Sequence, residues 1–141
     1  MSYEFLEGLT RADVAFEAKG KTLKELFESS ADALLEIMVN PKKVKKKIKK
    51  DFGIEKNNLE ELLYSFLDEI IFLKDSNSLV FNSCKVKIKE GKTLNLKATL
   101  FGDKIDYKKQ ELRVDPKAVT MHKFEVKKKN NNYVARVIID I

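Results

Sequence analysis

The sequence has little of what catalytic and metal sites are commonly built from. Its 141 residues include one cysteine, Cys84, and one histidine, His122. A single cysteine excludes an internal disulfide and a metal site held by several cysteines, and it is typical of a reducing, cytoplasmic compartment. A single histidine excludes a histidine cluster around a metal, and it leaves His122 as the sole candidate base for a serine triad.

The common motifs of nucleotide-binding and hydrolytic enzymes are also missing. The sequence contains no glycine-rich phosphate loop and no G-x-S-x-G nucleophile elbow. No apolar run reaches the ~20 residues that a membrane-spanning helix needs, and Met1–Glu7 has no basic flank leading into an apolar stretch. These absences argue against a stand-alone hydrolase or nucleotide-binding enzyme, and we expect a cytoplasmic protein that has no membrane partner.

Positive charge is concentrated in one short part of the chain, the lysine segment Lys42–Lys50. The net charge is +6, and this segment holds seven lysines and no acidic residue. The lysines could contact RNA phosphates, an acidic protein surface or water alone. No aromatic residue is interleaved to stack on bases, which argues against a platform for single-stranded RNA. The seven are Lys42, Lys43, Lys45, Lys46, Lys47, Lys49 and Lys50.

The secondary structure of this region is open to two interpretations. Lys42–Phe52 could continue a helix, or it could form an exposed strand whose lysines discourage pairing with another chain. We favour the strand.

Hydrophobic periodicity places a strand and two helices in the first half of the chain. Ala12–Gly20 alternates apolar and polar residues, as a half-buried strand does. Thr22 begins a helix through a capping box, and that helix ends at Asn40-Pro41. Asn58 caps a second helix, which is followed by a turn over residues 75–77.

From Leu79 onward the apolar residues recur at a period of two. Four strands are predicted, separated by turns at Glu90–Lys92, at Gly102-Asp103 and over residues 129–132. The last strand is Tyr133–Ile141. We therefore expect one domain over residues 1–141, of the α+β class, as a two-layer sandwich with two helices packed on a mostly antiparallel sheet.

Two aspartates lie at the limits of predicted strands. Asp13 begins the first strand, a position typical of turn or surface residues. Asp140 lies in the apolar run Val137–Ile141, beside the α-carboxylate of Ile141 if that strand is ordered. Neighbouring carboxylates repel each other unless a cation compensates, and oxygen ligands suit Ca²⁺ or Mg²⁺. The pattern alone leaves both a metal site and an ordinary surface role open.

Several short segments match one known family in order and spacing. They are Ala12–Val14, Lys21–Phe27, Met38–Asn40, Leu59–Leu67, Leu79–Phe81, Gly102-Asp103 followed by Asp106, Lys117–His122 and Asp140-Ile141. Through these segments, and in its total length, the chain resembles the archease family over essentially its full extent.

The resemblance implies a metal site. Archeases bind a divalent cation, usually calcium, through an N-terminal aspartate, a C-terminal aspartate and the terminal carboxylate, which correspond here to Asp13, Asp140 and Ile141. Magnesium and manganese are the alternatives. Lys117 and His122 match the family's K-A-x-T-x-H motif, so we expect both residues near the site.

The resemblance also implies a partner. Archeases assist the manganese- and GTP-dependent RNA ligase that joins 3′-phosphate or cyclic phosphate ends to 5′-hydroxyl ends in tRNA splicing. They promote guanylylation and multiple turnover of this 3′-phosphate RNA ligase, so tRNA would be contacted indirectly or weakly. The resemblance therefore implies an accessory protein that is not an enzyme and has no small-molecule substrate. Two alternatives are a general RNA-binding or chaperone-like module and a metal-dependent nuclease in which Asp13 and Asp140 activate water.

The sequence departs from the family pattern at two places. Thr10-Arg11 stands where the family usually has His-Thr, and we expect the charge of Arg11 to weaken cation affinity or to replace the cation by an ion pair. Asp115-Pro116 stands where Glu-Val is common, and Pro116 implies an edge strand or a bulge because it has no backbone N–H to donate.

Overall fold

The computed structural model describes residues 1–6 and 12–141 of the chain. The expectation for Thr10 and Arg11 lies outside these residues. The secondary-structure elements are β1 (Ser2–Leu6), β2 (Asp13–Gly20), α1 (Leu23–Met38), a 3₁₀ turn (Pro41–Lys43), β3 (Ile48–Lys56), α2 (Leu59–Asn77), β4 (Leu79–Glu90), β5 (Leu94–Lys104), β6 (Ala118–Lys129) and β7 (Asn132–Asp140).

The strands form two antiparallel sheets, and the two helices pack against them. The four-stranded sheet has the order β1-β2-β7-β6, and the three-stranded sheet has the order β3-β5-β4. Helix α1 contacts β2 in the first sheet and β4 in the second, while α2 contacts β6 and β3. The predicted α+β class is confirmed, and the single sheet that we expected is divided into two. None of the helices in the described ranges is long and apolar enough to cross a membrane.

Both helices begin at the predicted caps. The backbone N–H of Glu25 donates to Thr22 Oγ1 at 3.1 Å, and the Glu25 carboxylate accepts from the backbone N–H of Lys21 at 3.0 Å. The backbone N–H of Glu61 donates to Asn58 Oδ1 at 2.9 Å. Each cap satisfies an N–H that the helix itself leaves free, which stabilises the helix by about 1 kcal/mol.

The core lies between the helices and the two sheets. Phe16, Phe27, Phe66 and Phe81 are fully buried, and the rings of Phe27 and Phe66 lie 5.4 Å apart. Cys84 is buried among them as a small apolar residue, as its alternation with valine and isoleucine predicts.

Two predicted turns are wrong. Gly102-Asp103 lies inside β5, and the glycine is needed because a Cβ there would stand 2.0 Å from the Val80 carbonyl oxygen of β4. Residues 75–77 belong to the last turn of α2, which ends at Ser78 in the left-handed conformation with φ of 52°. The predicted turn over residues 129–132 is confirmed, with Asn130 and Asn131 at positive φ.

The predicted strand over Lys42–Phe52 is correct only in its second half. Pro41–Lys43 forms the 3₁₀ turn, because Asn40 caps it through the backbone N–H of Lys42 at 3.2 Å. Strand β3 begins at Ile48 and lies at the edge of the three-stranded sheet. Strand β1 was not predicted, and five residues without strict alternation give too weak a signal to identify it.

Candidate functional site

The fold brings the first long strand and the last strand of the chain side by side. Strands β2 and β7 are antiparallel neighbours, and Asp13 lies directly opposite Asp140. Just beyond them, the backbone N–H of Ile141 donates to the Ala12 carbonyl at 2.9 Å. This bond makes the two aspartates a non-hydrogen-bonded pair, the closely spaced kind with Cα atoms about 4.5 Å apart. We call Asp13 and Asp140 the acidic pair.

The acidic pair lies on the face of the sheet that points away from the helices. Phe16 and Val137, one row of the opposite face, belong to the main hydrophobic core. On the face of the acidic pair, the next row is Ala15 opposite Ile138, and each of these residues is 5% exposed. Both aspartates are half-buried. The acidic pair therefore lies at the end of an apolar strip on this face of the sheet.

Strand β6 supplies the third side of the site. Ala118 lies opposite Asp140, and the backbone N–H of Lys117 donates to the Asp140 carbonyl at 2.8 Å. One row away, Thr120 lies opposite Ile138. Within the described ranges, its Oγ1 is a buried side-chain atom without a hydrogen bond. The backbone of Lys117 thus fixes the end of β7, and the role of Lys117 at a metal site stays a prediction.

His122 lies farther along β6, in a large bulge. The register between β6 and β7 shifts between Thr120 and Glu125. His122 is exposed within this bulge, and Lys123 beside it has φ of 54°. His122 is therefore outside the row that contains the acidic pair and Ala118, and its role at the site stays a prediction.

A buried lysine anchors the segment that approaches the acidic pair. Lys74, near the end of α2, is 6% exposed, and its ammonium bonds to the Asp115 carboxylate, to Asp75 at 2.8 Å and to the Pro116 carbonyl at 3.3 Å. Burial lowers the pKa of Lys74, but the hydrogen bonds to Asp115 and Asp75 outweigh that effect and raise the pKa overall. Lys74 therefore fixes the residues just before Lys117 and stays charged.

Sequence reasoning missed Lys74. The available signal was its spacing, because Lys74 stands four residues after Ile70 and so occupies the buried stripe of α2. Its main partner, Asp115, lies 41 residues farther along the chain and shows no local pattern.

The donor atoms at the acidic pair suit a hard divalent cation. Calcium and magnesium prefer carboxylate and carbonyl oxygens, which these strand ends offer. Among the described residues, no group of three or more His, Cys, Asp or Glu side chains is placed to hold a metal ion. The predicted set has only two such side chains, Asp13 and Asp140, so the remaining oxygens would have to come from Ile141 and the backbone.

The structure does not bring the lysine segment to the acidic pair. The segment leads into β3, whereas Asp13 and Asp140 belong to the four-stranded sheet. Its lysine side chains are exposed except for that of Lys50, which is half-buried. The acidic pair and the lysine segment are therefore two separate surface features.

The fold and the acidic pair define a small α+β protein whose candidate site joins its second and last strands. The model of the archease protein family (MTH1598/TM1083) matches residues 3–141. The chain belongs to the archease family.

Individual relatives cover nearly the whole chain. The archease of Pyrococcus furiosus is 39% identical over 133 residues, which cover 92% of this chain and 93% of that protein. The archease of Archaeoglobus fulgidus is 34% identical over 143 residues, which cover 100% of both chains.

Two solved structures share the fold. The solution structure of Methanobacterium thermoautotrophicum protein 1598 has a TM-score of 0.82 and 32% identity, covering 99% of this chain and 98% of that one. The crystal structure of an archease and possible chaperone from Thermotoga maritima has a TM-score of 0.65 and covers 94% of this chain and 93% of that one. At 21% identity, the second supports the fold alone.

Proposed function

We propose that this protein is an accessory protein that activates the 3′-phosphate RNA ligase of tRNA splicing and is not itself an enzyme. The observation that supports this most is the acidic pair, because two carboxylates from paired strands lie directly opposite each other and offer their oxygens to one cation or one partner. Membership of the archease family supports the ligase as the partner.

The chain's own residues would give the site its shape. Asp13 and Asp140 supply carboxylate oxygens from two hydrogen-bonded strands, so their spacing is fixed by backbone geometry and not by flexible loops. The backbone N–H of Lys117 donates to the Asp140 carbonyl. The Lys74 ammonium donates to the Pro116 carbonyl and so fixes the segment before Lys117. We infer that this rigid acidic site docks beside the active site of the ligase and eases its renewed guanylylation.

A divalent cation, calcium with magnesium or manganese as alternatives, would be held by Asp13, Asp140 and the carboxylate that the resemblance assigns to Ile141. When bound, it would neutralise the pair and supply a positive charge for an oxygen ligand of the partner.

Neutralising the acidic pair tests this proposal. Purified ligase is assayed under multiple-turnover conditions with the wild-type protein, with Asp13→Asn and with Asp140→Asn. We expect each variant to lose at least about tenfold in stimulation, as changes around metal ligands commonly do. Glu17→Gln is the matched control, since Glu17 lies on the same strand and the same face as Asp13, away from Asp140, and pairs with Arg136 at 3.5 Å.

Two further measurements accompany that assay. Calorimetry with calcium chloride should detect binding to the wild-type protein and to Glu17→Gln but not to Asp140→Asn. Incubation of the wild-type protein with RNA and Mg²⁺ or Mn²⁺, without ligase, should leave the RNA intact. Full stimulation by both aspartate variants would remove the acidic pair from the mechanism, and cleavage of the RNA would favour the nuclease instead.

A further inference from the structure

The outer face of the three-stranded sheet is rich in lysine. The register pairs Lys87 with Lys97 and Lys97 with Gly53, so these residues share one face. On the opposite face, Val86 and Ala98 are buried in the core. The exposed lysines of the outer face come from all three strands, and we call them the basic face. They are Lys49 from β3, Lys85, Lys87 and Lys89 from β4, and Lys97 from β5.

An open cleft of about 510 Å³ lies in the middle of the basic face. Its rim carries Lys24 of α1 together with Lys85, Lys87 and Lys97. Gly53 leaves space in the cleft because it has no side chain, and a Cβ there would meet only the Leu96 carbonyl oxygen, at 3.5 Å. The cleft can therefore admit a group that approaches the sheet backbone closely.

Lysines outnumber carboxylates around this cleft, although Lys24 is paired with Glu28 and Asp51 also lines the cleft. No carboxylate of residues 1–6 or 12–141 lies within 4.0 Å of the Lys85, Lys87 or Lys97 ammonium groups. Of the acids on this face, Asp51 accepts from Thr99 Oγ1 at 2.6 Å and Glu55 from Thr93 Oγ1 at 2.8 Å. An excess of positive over negative charge around a cleft raises the local potential and attracts anions.

An aromatic ring lies on the same face. Phe101 is half-buried beside Lys49, and the Lys46 ammonium stands 5.4 Å from the centre of its ring. The lysine segment lacks an aromatic residue of its own, but strand pairing supplies one from β5. Lysines next to an aromatic ring are the combination that contacts both phosphates and bases of single strands.

We propose that the basic face binds an extended stretch of single-stranded RNA, with lysines contacting phosphates and Phe101 stacking on a base. Along a strand the lysines repeat every ~7 Å, and neighbouring strands lie ~5 Å apart, so a flexible backbone can reach several of them at once. A single strand is favoured over a duplex because a duplex hides the faces of its bases. This proposal goes beyond ligase activation and does not depend on it.

The test measures RNA binding without ligase, by fluorescence anisotropy of a labelled oligouridine over a range of salt concentrations. The variant Lys85→Gln/Lys87→Gln/Lys97→Gln should bind at least about tenfold more weakly, and its slope of log affinity against log salt should be smaller by about 2. The control is Lys108→Gln/Lys109→Gln/Lys129→Gln, which removes the same charge from exposed positions elsewhere and should bind like the wild type.

A second variant tests the aromatic contact. Phe101→Leu keeps an apolar side chain, and it should weaken oligouridine binding about tenfold without changing the salt slope. Its binding to heparin, a polyanion without bases, should stay as in the wild type. Asp13→Asn should bind RNA normally, which separates this proposal from the one on ligase activation.

Three results would overturn the proposal. The first is no RNA binding by the wild type at low salt, and the second is an equal loss in both lysine triples. The third is wild-type RNA binding by Lys85→Gln/Lys87→Gln/Lys97→Gln together with reduced stimulation of the ligase by that variant. The last result would assign the basic face to an acidic protein surface.

Discussion

The acidic pair of the four-stranded sheet and the basic face of the three-stranded sheet carry opposite charges, and the fold assembles them in different ways. On the four-stranded sheet, Asp13 and Asp140 come from strands far apart in the sequence and meet at one half-buried position. On the three-stranded sheet, exposed lysines spread over three strands through simple alternation. The acidic pair depends on one register and one spacing, whereas the basic face is a sum of similar contacts. Single substitutions should therefore act sharply at the first site and gradually at the second.

The largest effect is expected at a glycine on which the three-stranded sheet depends. Gly102→Ala places a Cβ 2.0 Å from the Val80 carbonyl oxygen and 2.8 Å from the Phe81 Cα, both of them backbone atoms that cannot move aside alone. We expect a loss of about 3 kcal/mol or more in the free energy of unfolding, measured by urea denaturation.

Gly53→Ala is the matched control for that variant. Gly53 lies in the same sheet, but its nearest neighbour would be 3.5 Å away, so we expect a change of less than about 1 kcal/mol. Equal losses in the two variants would show that glycine is needed in the strands for another reason. If the two sheets unfold as one unit, Gly102→Ala will also reduce the stimulation that depends on the acidic pair.

A smaller effect is expected from replacing the buried lysine of α2. Lys74→Met fills a similar volume but removes the bonds to Asp115 and to the Pro116 carbonyl. Because both acidic partners are mostly exposed and can be solvated, we expect a loss of about 2 kcal/mol in the free energy of unfolding. Ligase stimulation should fall at temperatures where the variant is folded, because the segment before Lys117 is released.

RNA binding by Lys74→Met should stay at the wild-type level, and this contrast separates the two sites. The control is Lys104→Met, at an exposed position at the end of β5. Normal stimulation by folded Lys74→Met would mean that the acidic pair keeps its geometry without this anchor.

Features set by near neighbours in the chain could be predicted from the sequence. The caps Thr22 and Asn58 satisfy N–H groups three residues away, so their patterns are complete within one helical turn. The last strand was also predicted, from its unbroken apolar run. The pairing of Asp13 with Asp140 was expected only through the family resemblance, because no local pattern states which strand lies beside which.

Features set by distant neighbours could not be predicted. The sequence predicts a turn at Gly102 because Gly-Asp commonly forms turns. In the structure this position requires glycine for another reason, since the β4 backbone packs against it and leaves no space for a Cβ. The basic face was missed for a similar reason. Lys85, Lys87 and Lys97 are ordinary alternating residues of two strands, and only the register between β4 and β5 places them around one cleft.

The smallest effect is expected at the helix that links the sheets. Helix α1 contacts one edge strand of each sheet through an acidic side chain. Tyr3 of β1 donates to Glu36, and the backbone N–H of Val86 in β4 donates to Glu28 at 2.9 Å. Asp32 lies between these acids. Burial, followed by the charge of Glu28, raises the pKa of Asp32 to about 6. The folded protein therefore holds a proton on Asp32 at pH values where the unfolded chain has lost it.

The sign of the pH dependence follows from that proton. Between about pH 4 and pH 6 the folded state binds more protons at Asp32 than the unfolded state does, so stability from this group falls as the pH rises. Asp32→Asn imitates the protonated form. It should match the wild type near pH 4 and exceed it by about 1 kcal/mol at pH 7, since partial exposure screens the charge. Urea midpoints across this range measure the difference, with Asp68→Asn on the exposed face of α2 as the control. A constant difference at all pH values would assign the gain to packing and not to charge.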